Sequence, residues 1–204
     1  MRLLDEAQQH AVDRLQRLYE SLLESEARKS GFLHKLFGRK QHYVHGLYLW
    51  GGVGRGKSFL MDVFFSSVPL DNKKRVHFHR FMQDVHAELD TIKHHADPLV
   101  IVAQRIAQQA RLICFDEFHV SDIADAMLLG RLLGELLQQG VVLVATSNHK
   151  PDELYMVDEK GLRAVMPGEI AVTVGGGQPT DVSAAEGTTV QKVITLAGDK
   201  LVVN

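Results

Sequence analysis

Gly46-Leu47-Tyr48-Leu49-Trp50-Gly51-Gly52-Val53-Gly54-Arg55-Gly56-Lys57-Ser58 is the stretch on which the reading of this chain turns. A short apolar strand runs directly into an octet that fits G-x-x-x-x-G-K-[ST], the Walker A phosphate loop, and Lys57 to Phe65 then reads as a helix. The chemistry explains the spacing. Glycines let the backbone curl until its N–H groups converge on phosphates, and the helix N-terminus adds the positive end of a dipole. Gly51, Gly52, Val53, Gly54, Arg55, Gly56, Lys57 and Ser58 are therefore the candidate ATP/ADP-binding residues. Lys57 is expected to reach the β and γ phosphates, and the Ser58 hydroxyl to ligate Mg²⁺.

Downstream, Leu112-Ile113-Cys114-Phe115-Asp116-Glu117 is an apolar strand ending in two carboxylates, the pattern of a Walker B motif. Alone, such a run is most often a strand entering a loop; paired with the upstream phosphate loop it gains meaning. Asp116 is the expected second Mg²⁺ ligand, directly or through water. Glu117 is the candidate base for the attacking water. Val141 to Ala145, followed by Thr146-Ser147-Asn148, is another buried strand that delivers polar groups to the same sheet edge. Asn148 is a candidate to sense the γ-phosphate or position the water, and Thr146 is the lesser candidate; a polar cap of the next helix is the competing explanation. Lys57, Glu117 and Asn148 make up the expected catalytic set.

Around these motifs, strands expected at Arg75 to His79 and Leu112 to Phe115 alternate with helical patterns at Phe81 to Leu89, Pro98 to Gln109 and Ile123 to Gln138. Residues 5 to 26 read as an amphipathic helix on Leu4, Ala11, Leu15, Leu18 and Leu22. Alternation of this kind predicts an α/β fold, with a parallel sheet covered by helices on both faces.

Composition narrows the classes. With 204 residues and 45% hydrophobic content, the chain can bury a core, and no apolar run approaches the length of a membrane span. A formal charge of -2 gives no global nucleic-acid signal. The single Cys and the absence of an apolar stretch after the first residues point to a cytoplasmic setting. From Ala27 to Met61 there is no acidic residue. The basic segment 28–40, with Phe32, Leu33, Leu36 and Phe37, offers a peripheral contact to a membrane or an acidic partner; a solvated connector is the plainer alternative. His77-Phe78-His79 is expected on a strand; for Arg80, which follows it, a surface salt bridge is the preferred reading over a place facing the nucleotide or a neighbouring subunit. All aromatic and His residues lie before position 156, whereas 156–204 holds 7 of the 17 Gly. That shift predicts a core over 1–155 and a β-rich tail over 156–204, with strands at Ile170 to Val174, Val190 to Leu196 and Leu201 to Val203.

Gly46 to Ser58, Arg75-Val76-His77-Phe78-His79-Arg80-Phe81-Met82 and Cys114-Phe115-Asp116-Glu117-Phe118-His119-Val120-Ser121-Asp122-Ile123-Ala124-Asp125-Ala126-Met127 together resemble the AFG1-like ATPase family over about residues 5–155. The resemblance implies a AAA-type P-loop core that hydrolyses ATP with Mg²⁺. In bacteria it implies a role in cell division, with a homo-oligomer, the division-ring protein FtsZ and the inner membrane face as expected partners and location.

Beyond Tyr155 the chain departs from that family. The family's fifth core strand is not recognisable, so in the AAA-type order 5-1-4-3-2 the strand at Leu47 to Trp50 is expected to keep an open edge. A substitute strand, an oligomer contact or local instability must deal with it. No residue matches an arginine finger, whose loss costs on the order of 10³ to 10⁵ in rate. Nucleotide binding without effective hydrolysis is therefore the alternative function. Residues 156–204 resemble the end of the fibronectin-like domain of family 3 glycoside hydrolases, through Val157-Asp158-Glu159-Lys160-Gly161, Pro167-Gly168-Glu169 and Val172-Thr173-Val174-Gly175-Gly176-Gly177. On that resemblance the tail is an antiparallel β appendage without glycosidase chemistry.

Overall fold

The computed structural model describes residues 6–30, 44–92, 95–120, 123–151, 170–174 and 193–194. Its elements run α1 (Glu6–Ser30), β1 (Gly46–Trp50), α2 (Lys57–Ser67), β2 (Lys73–His77), α3 (Phe78–Thr91), α4 (Pro98–Gln109), β3 (Leu112–Asp116), α5 (Ile123–Gln138), β4 (Val142–Ser147), β5 (Ile170–Val174) and β6 (Val193–Ile194). The strands form one sheet in the order β2-β3-β4-β1-β5-β6. All its pairings are parallel except β5 with β6. The parallel α/β sheet is the one expected from the alternating pattern.

Side-chain alternation along the strands sorts the core into two layers. Leu47, Leu49, Leu112, Cys114, Val142 and Val144 pack with Ala11, Leu15, Leu18 and Leu22 of α1 and Met61 and Phe64 of α2. Their neighbours Tyr48, Ile113, Phe115 and Ala145 pack on the other face with α3, α4 and α5, through residues such as Phe81, Val102, Leu129 and Leu132. Strands buried on both faces must be apolar throughout, which is why β3 carries four consecutive buried residues. Within that layer, burial pushes the Cys114 thiol up to about 12. The central strands also approach closely, since a Cβ on Gly46 would run into the Leu143 carbonyl.

Two local expectations change. β2 ends at His77, so His77 and His79 do not share a strand face. The alternation of His77-Phe78-His79-Arg80-Phe81 resembles a strand, but Phe78 and Phe81 are both buried as the first turn of α3 turns them into the core, where both rings meet Phe115. Burying a large aromatic side chain stabilises by up to ~3 kcal/mol and outweighs the weak local preference. His79 instead bonds Gln83, and Arg80 forms an exposed pair with Asp84, as expected. The second change lies at the far edge. β5 pairs in parallel with β1 from Gly46↔Ile170 to Trp50↔Val174, so the edge expected to stay open is filled from within the tail. A segment at 170–174 with four β-branched residues of five meets a strand with unsatisfied backbone groups, and pairing satisfies both. Only the β5–β6 pairing keeps the expected antiparallel character; the strand expected at Leu201 to Val203 and the segment 31–43 lie outside the described residues.

Successive residues of β5 direct their N–H groups to opposite sides, so of Val172→Pro and Thr173→Pro one deletes a ladder bond to β1. That variant is expected to lose roughly 1–3 kcal/mol of stability. Thermal melting and hydrogen exchange of the Leu47 to Trp50 amides check it. Unchanged melting and exchange in both variants would mean that β5 does not cover β1.

Candidate functional site

The phosphate loop leaves β1 at Gly51, whose N–H donates to the Ser147 carbonyl of β4 at 3.2 Å. It then turns through Gly54 and Gly56 at φ of 80° and 82°, in the left-handed region where a Cβ is penalised. Gly56 is the N-cap of α2, and no side chain caps that end. The first amides of α2 therefore point at a cleft of about 430 Å³, with a partial positive charge at its floor. Val53, Gly54, Arg55, Gly56, Lys57 and Ser58 line it, together with Glu117, Thr146, Ser147 and Asn148. From the opposite side, Gln8 of α1 donates to the Arg55 carbonyl at 3.2 Å and braces the loop.

The Lys57 ammonium spends its three N–H bonds inside this cleft. It donates to the Gly51 and Gly52 carbonyls at 2.7 and 2.8 Å and to Asn148 Oδ1 at 3.0 Å. Burial, and then the nearby charge of Arg55, pull its pKa below the usual lysine value. The charge of an arriving anion would offset both effects, so the position suits a phosphate.

Glu117 follows β3 at φ 55°, a strained conformation for a residue with a Cβ, and one that costs on the order of 1 kcal/mol or more. Its side chain is 82% exposed over the cleft, with His77 Nδ1 4.0 Å away. The strain is held from β4. The Glu117 N–H donates to Thr146 Oγ1 at 3.3 Å and the Phe118 N–H to the Thr146 carbonyl at 2.7 Å. The Ser147 hydroxyl donates to the Phe118 carbonyl at 2.6 Å and accepts from the His149 N–H at 3.1 Å. Thr146 is thus a buried anchor whose hydroxyl donates back to the Phe115 carbonyl, while Asn148 is exposed at the cleft and touches Lys57.

Of the expected residues, Lys57, Ser58, Glu117 and Asn148 come together at the cleft, and Asp116 does not line it. The Asp116 side chain, 13% exposed, accepts from Arg75 Nε at 2.7 Å and Nη2 at 3.1 Å, while Arg75 Nη1 donates to Asp62 of α2. Ser58 and Asp116 present the hard oxygen donors that Mg²⁺ prefers, and two protein ligands leave the rest of an octahedral shell to phosphate and water. Each carboxylate oxygen keeps a second acceptor site beside the one that Arg75 uses, so the donor set fits the cation. Sequence reasoning missed Arg75. The signal was a basic residue on the strand next to β3, and it becomes informative only with the register that sets Arg75 beside Cys114 and His77 beside Asp116.

A family model described as AFG1-like ATPase matches residues 2–165. Cell division protein ZapE of Escherichia coli (strain K12) is 50% identical over 161 residues, which cover 74% of this chain and 43% of that protein. Lactation elevated protein 1 homolog B of Danio rerio is 49% identical over 127 residues, 57% of this chain and 25% of that protein. The chain spans less than half the length of these relatives. Among solved structures, DnaI aligns with a TM-score of 0.46 at 15% identity, over 75% of this chain and 69% of that chain, a distant likeness. These matches lend no support to the fibronectin-like resemblance of residues 156–204.

Ser147→Ala removes a buried hydroxyl with one donated and one accepted bond. It is expected to cost about 1–3 kcal/mol, because the Phe118 carbonyl and the His149 N–H lose their partner. For a chain of this size each 1 kcal/mol lowers Tm by about 2–4 °C, which calorimetric melting resolves.

Proposed function

The chain belongs to the AFG1-like ATPase family, and from that premise we propose that it binds ATP with Mg²⁺ in the cleft at the head of α2 and hydrolyses it. The observation that carries this reading is the convergence on one cleft of an uncapped helix N-terminus, Lys57, Glu117 and Asn148. Gly51 to Ser58 bind the phosphates through backbone N–H groups. Lys57 exchanges its bonds to the Gly51 and Gly52 carbonyls for phosphate oxygens, and Asn148, already bonded to it, follows the occupancy of the γ position. Ser58 and Asp116 would hold the cation, Asp116 directly or through water, and the cation would supply charge neutralisation to the phosphates. Glu117, exposed over the cleft, orients and deprotonates the attacking water.

A rival reading, nucleotide binding without turnover, is favoured by one observation: Asp116 does not line the cleft that the other expected residues share. The similarity to Cell division protein ZapE supports cell division as the setting. A homo-oligomer, FtsZ and the cytoplasmic membrane face belong to the same proposal. Among the described residues, no helix is long and apolar enough to cross a membrane.

Two substitutions test the reading. Lys57→Ala removes the main phosphate countercharge and is expected to abolish Mg·ATP binding in titration calorimetry; unchanged affinity would reject the phosphate loop as the site. Glu117→Gln is expected to retain Mg·ATP while phosphate release falls by about 10² to 10⁴, the usual range for a lost general base. Turnover equal to that of the unsubstituted chain would remove Glu117 from the mechanism, and an unsubstituted chain that binds but releases no phosphate would establish the rival reading.

A further inference from the structure

Arg75 makes a bridge that the nucleotide reading does not use. Its Nε and Nη2 hold both oxygens of Asp116 at the end of β3, and its Nη1 holds Asp62, one turn into the helix that opens with Lys57 and Ser58. We infer that Arg75 is a positioning residue: by tying Asp116 on β3 to Asp62 on α2, it fixes the separation and orientation of the two cation ligands, Asp116 and Ser58, before a Mg·nucleotide arrives. This inference rests on the proposed nucleotide site.

Three features of the geometry carry it. The Asp116 contact is two-pronged, so it sets the plane of the carboxylate as well as its place, which a lysine ammonium cannot do. The guanidinium is itself only 22% exposed, and Asp116 less, so without it Asp116 would be a nearly buried charge with its main partner gone. Asp62 lies 61% exposed on the outer side. Two carboxylates and one guanidinium sum to a single negative charge, the same as Asp116 alone. Arg75 can therefore stay in place without repelling the cation on balance, while two acceptor sites on Asp116 remain for Mg²⁺ or its water.

The test compares affinity for ADP with Mg²⁺ and with EDTA, by titration calorimetry on the full chain, so that no turnover enters. The unsubstituted chain is expected to bind more tightly with Mg²⁺. Arg75→Gln is expected to cut the ratio of the two affinities by about tenfold, the scale of a lost charged hydrogen-bond pair, while binding in EDTA stays close to unchanged. Arg75→Lys, with a point charge in place of the fork, is expected to fall between. Asp62→Asn, on the exposed side of the bridge, lowers the ratio less, because the triad loses one negative charge but keeps the Asp116 contact. A purely structural role would weaken binding equally in both conditions and lower Tm; that result, or a ratio unchanged or raised, overturns the inference. If Arg75→Gln does not give a cooperative melt, Arg75→Lys and Asp62→Asn decide, and unchanged ratios in both overturn it. ADP binding in neither condition by the unsubstituted chain is a different failure, that of the nucleotide site itself, and the inference falls with it.

Discussion

The last two residues of β4 hold the site together. The carbonyl of Thr146 accepts the Phe118 N–H, and the carbonyl of Ser147 accepts the Gly51 N–H, so one strand end pins the turn after β3 on one side and the start of the phosphate loop on the other. The two hydroxyls reinforce the β3 side, Thr146 against Phe115 and Glu117 and Ser147 against Phe118, while the Ser147 hydroxyl also accepts from the His149 N–H just beyond β4. Both residues are buried polar side chains in an otherwise apolar strand, 3% and 2% exposed. Buried hydroxyls are tolerable only when paired, and here the pairing is what fixes the loops. Glu117 can occupy its strained backbone conformation because Thr146 holds the peptide that would otherwise relax.

Charge in and beside the cleft is balanced by protein groups of two kinds. Lys57 rests on two carbonyls of its own loop and on Asn148, and Asp116 rests on Arg75. Both arrangements remove the cost of a poorly solvated charge. They differ in what an incoming ligand must do. Carbonyl oxygens are weak competitors for an ammonium against phosphate, so at the proposed site the Lys57 contacts would yield readily. The Asp116–Arg75 pair is charge-assisted and two-pronged, and does not. The loop is thus poised to exchange partners while the carboxylate is poised to stay.

The degree to which each feature was legible follows from how local its cause is. β1, α4 and α5 match the expected boundaries because each carries its own period and punctuation: the glycine run after Trp50, Pro98 at the first turn of α4, and the apolar face from Ala126 to Leu136. The phosphate loop was legible for the same reason, since its conformation is written in its glycines. The β2–α3 boundary was not. His77 caps α3 without a side-chain bond, so no polar signal marks the start, and only burial of Phe78 against Phe115 and Phe118 reveals it. The Ile170–Val174 run was readable as a strand, but its partner was not, because pairing with Gly46–Trp50 is set by an open edge more than a hundred positions earlier. Arg75 was invisible for a related reason. Its role depends on the register between β2 and β3, which no local pattern encodes.

The position of β5 bears on the site as well as on the sheet. Its last pair with β1 is Trp50↔Val174, and Gly51 opens the phosphate loop at the next residue. On the other side β1 pairs with β4 as far as Trp50↔Ser147. Trp50 is thus held by ladders on both sides at the point where the regular backbone ends and the loop begins. A strand with one free edge twists more and frays from its end, and fraying at Trp50 would reach the amides at the start of the glycine-rich loop. The strand from the tail therefore does for the loop on the outer side what Ser147 does on the inner side. Together they set how far the curvature of Gly51 to Gly56 can wander before Lys57 and the head of α2 lose their aim.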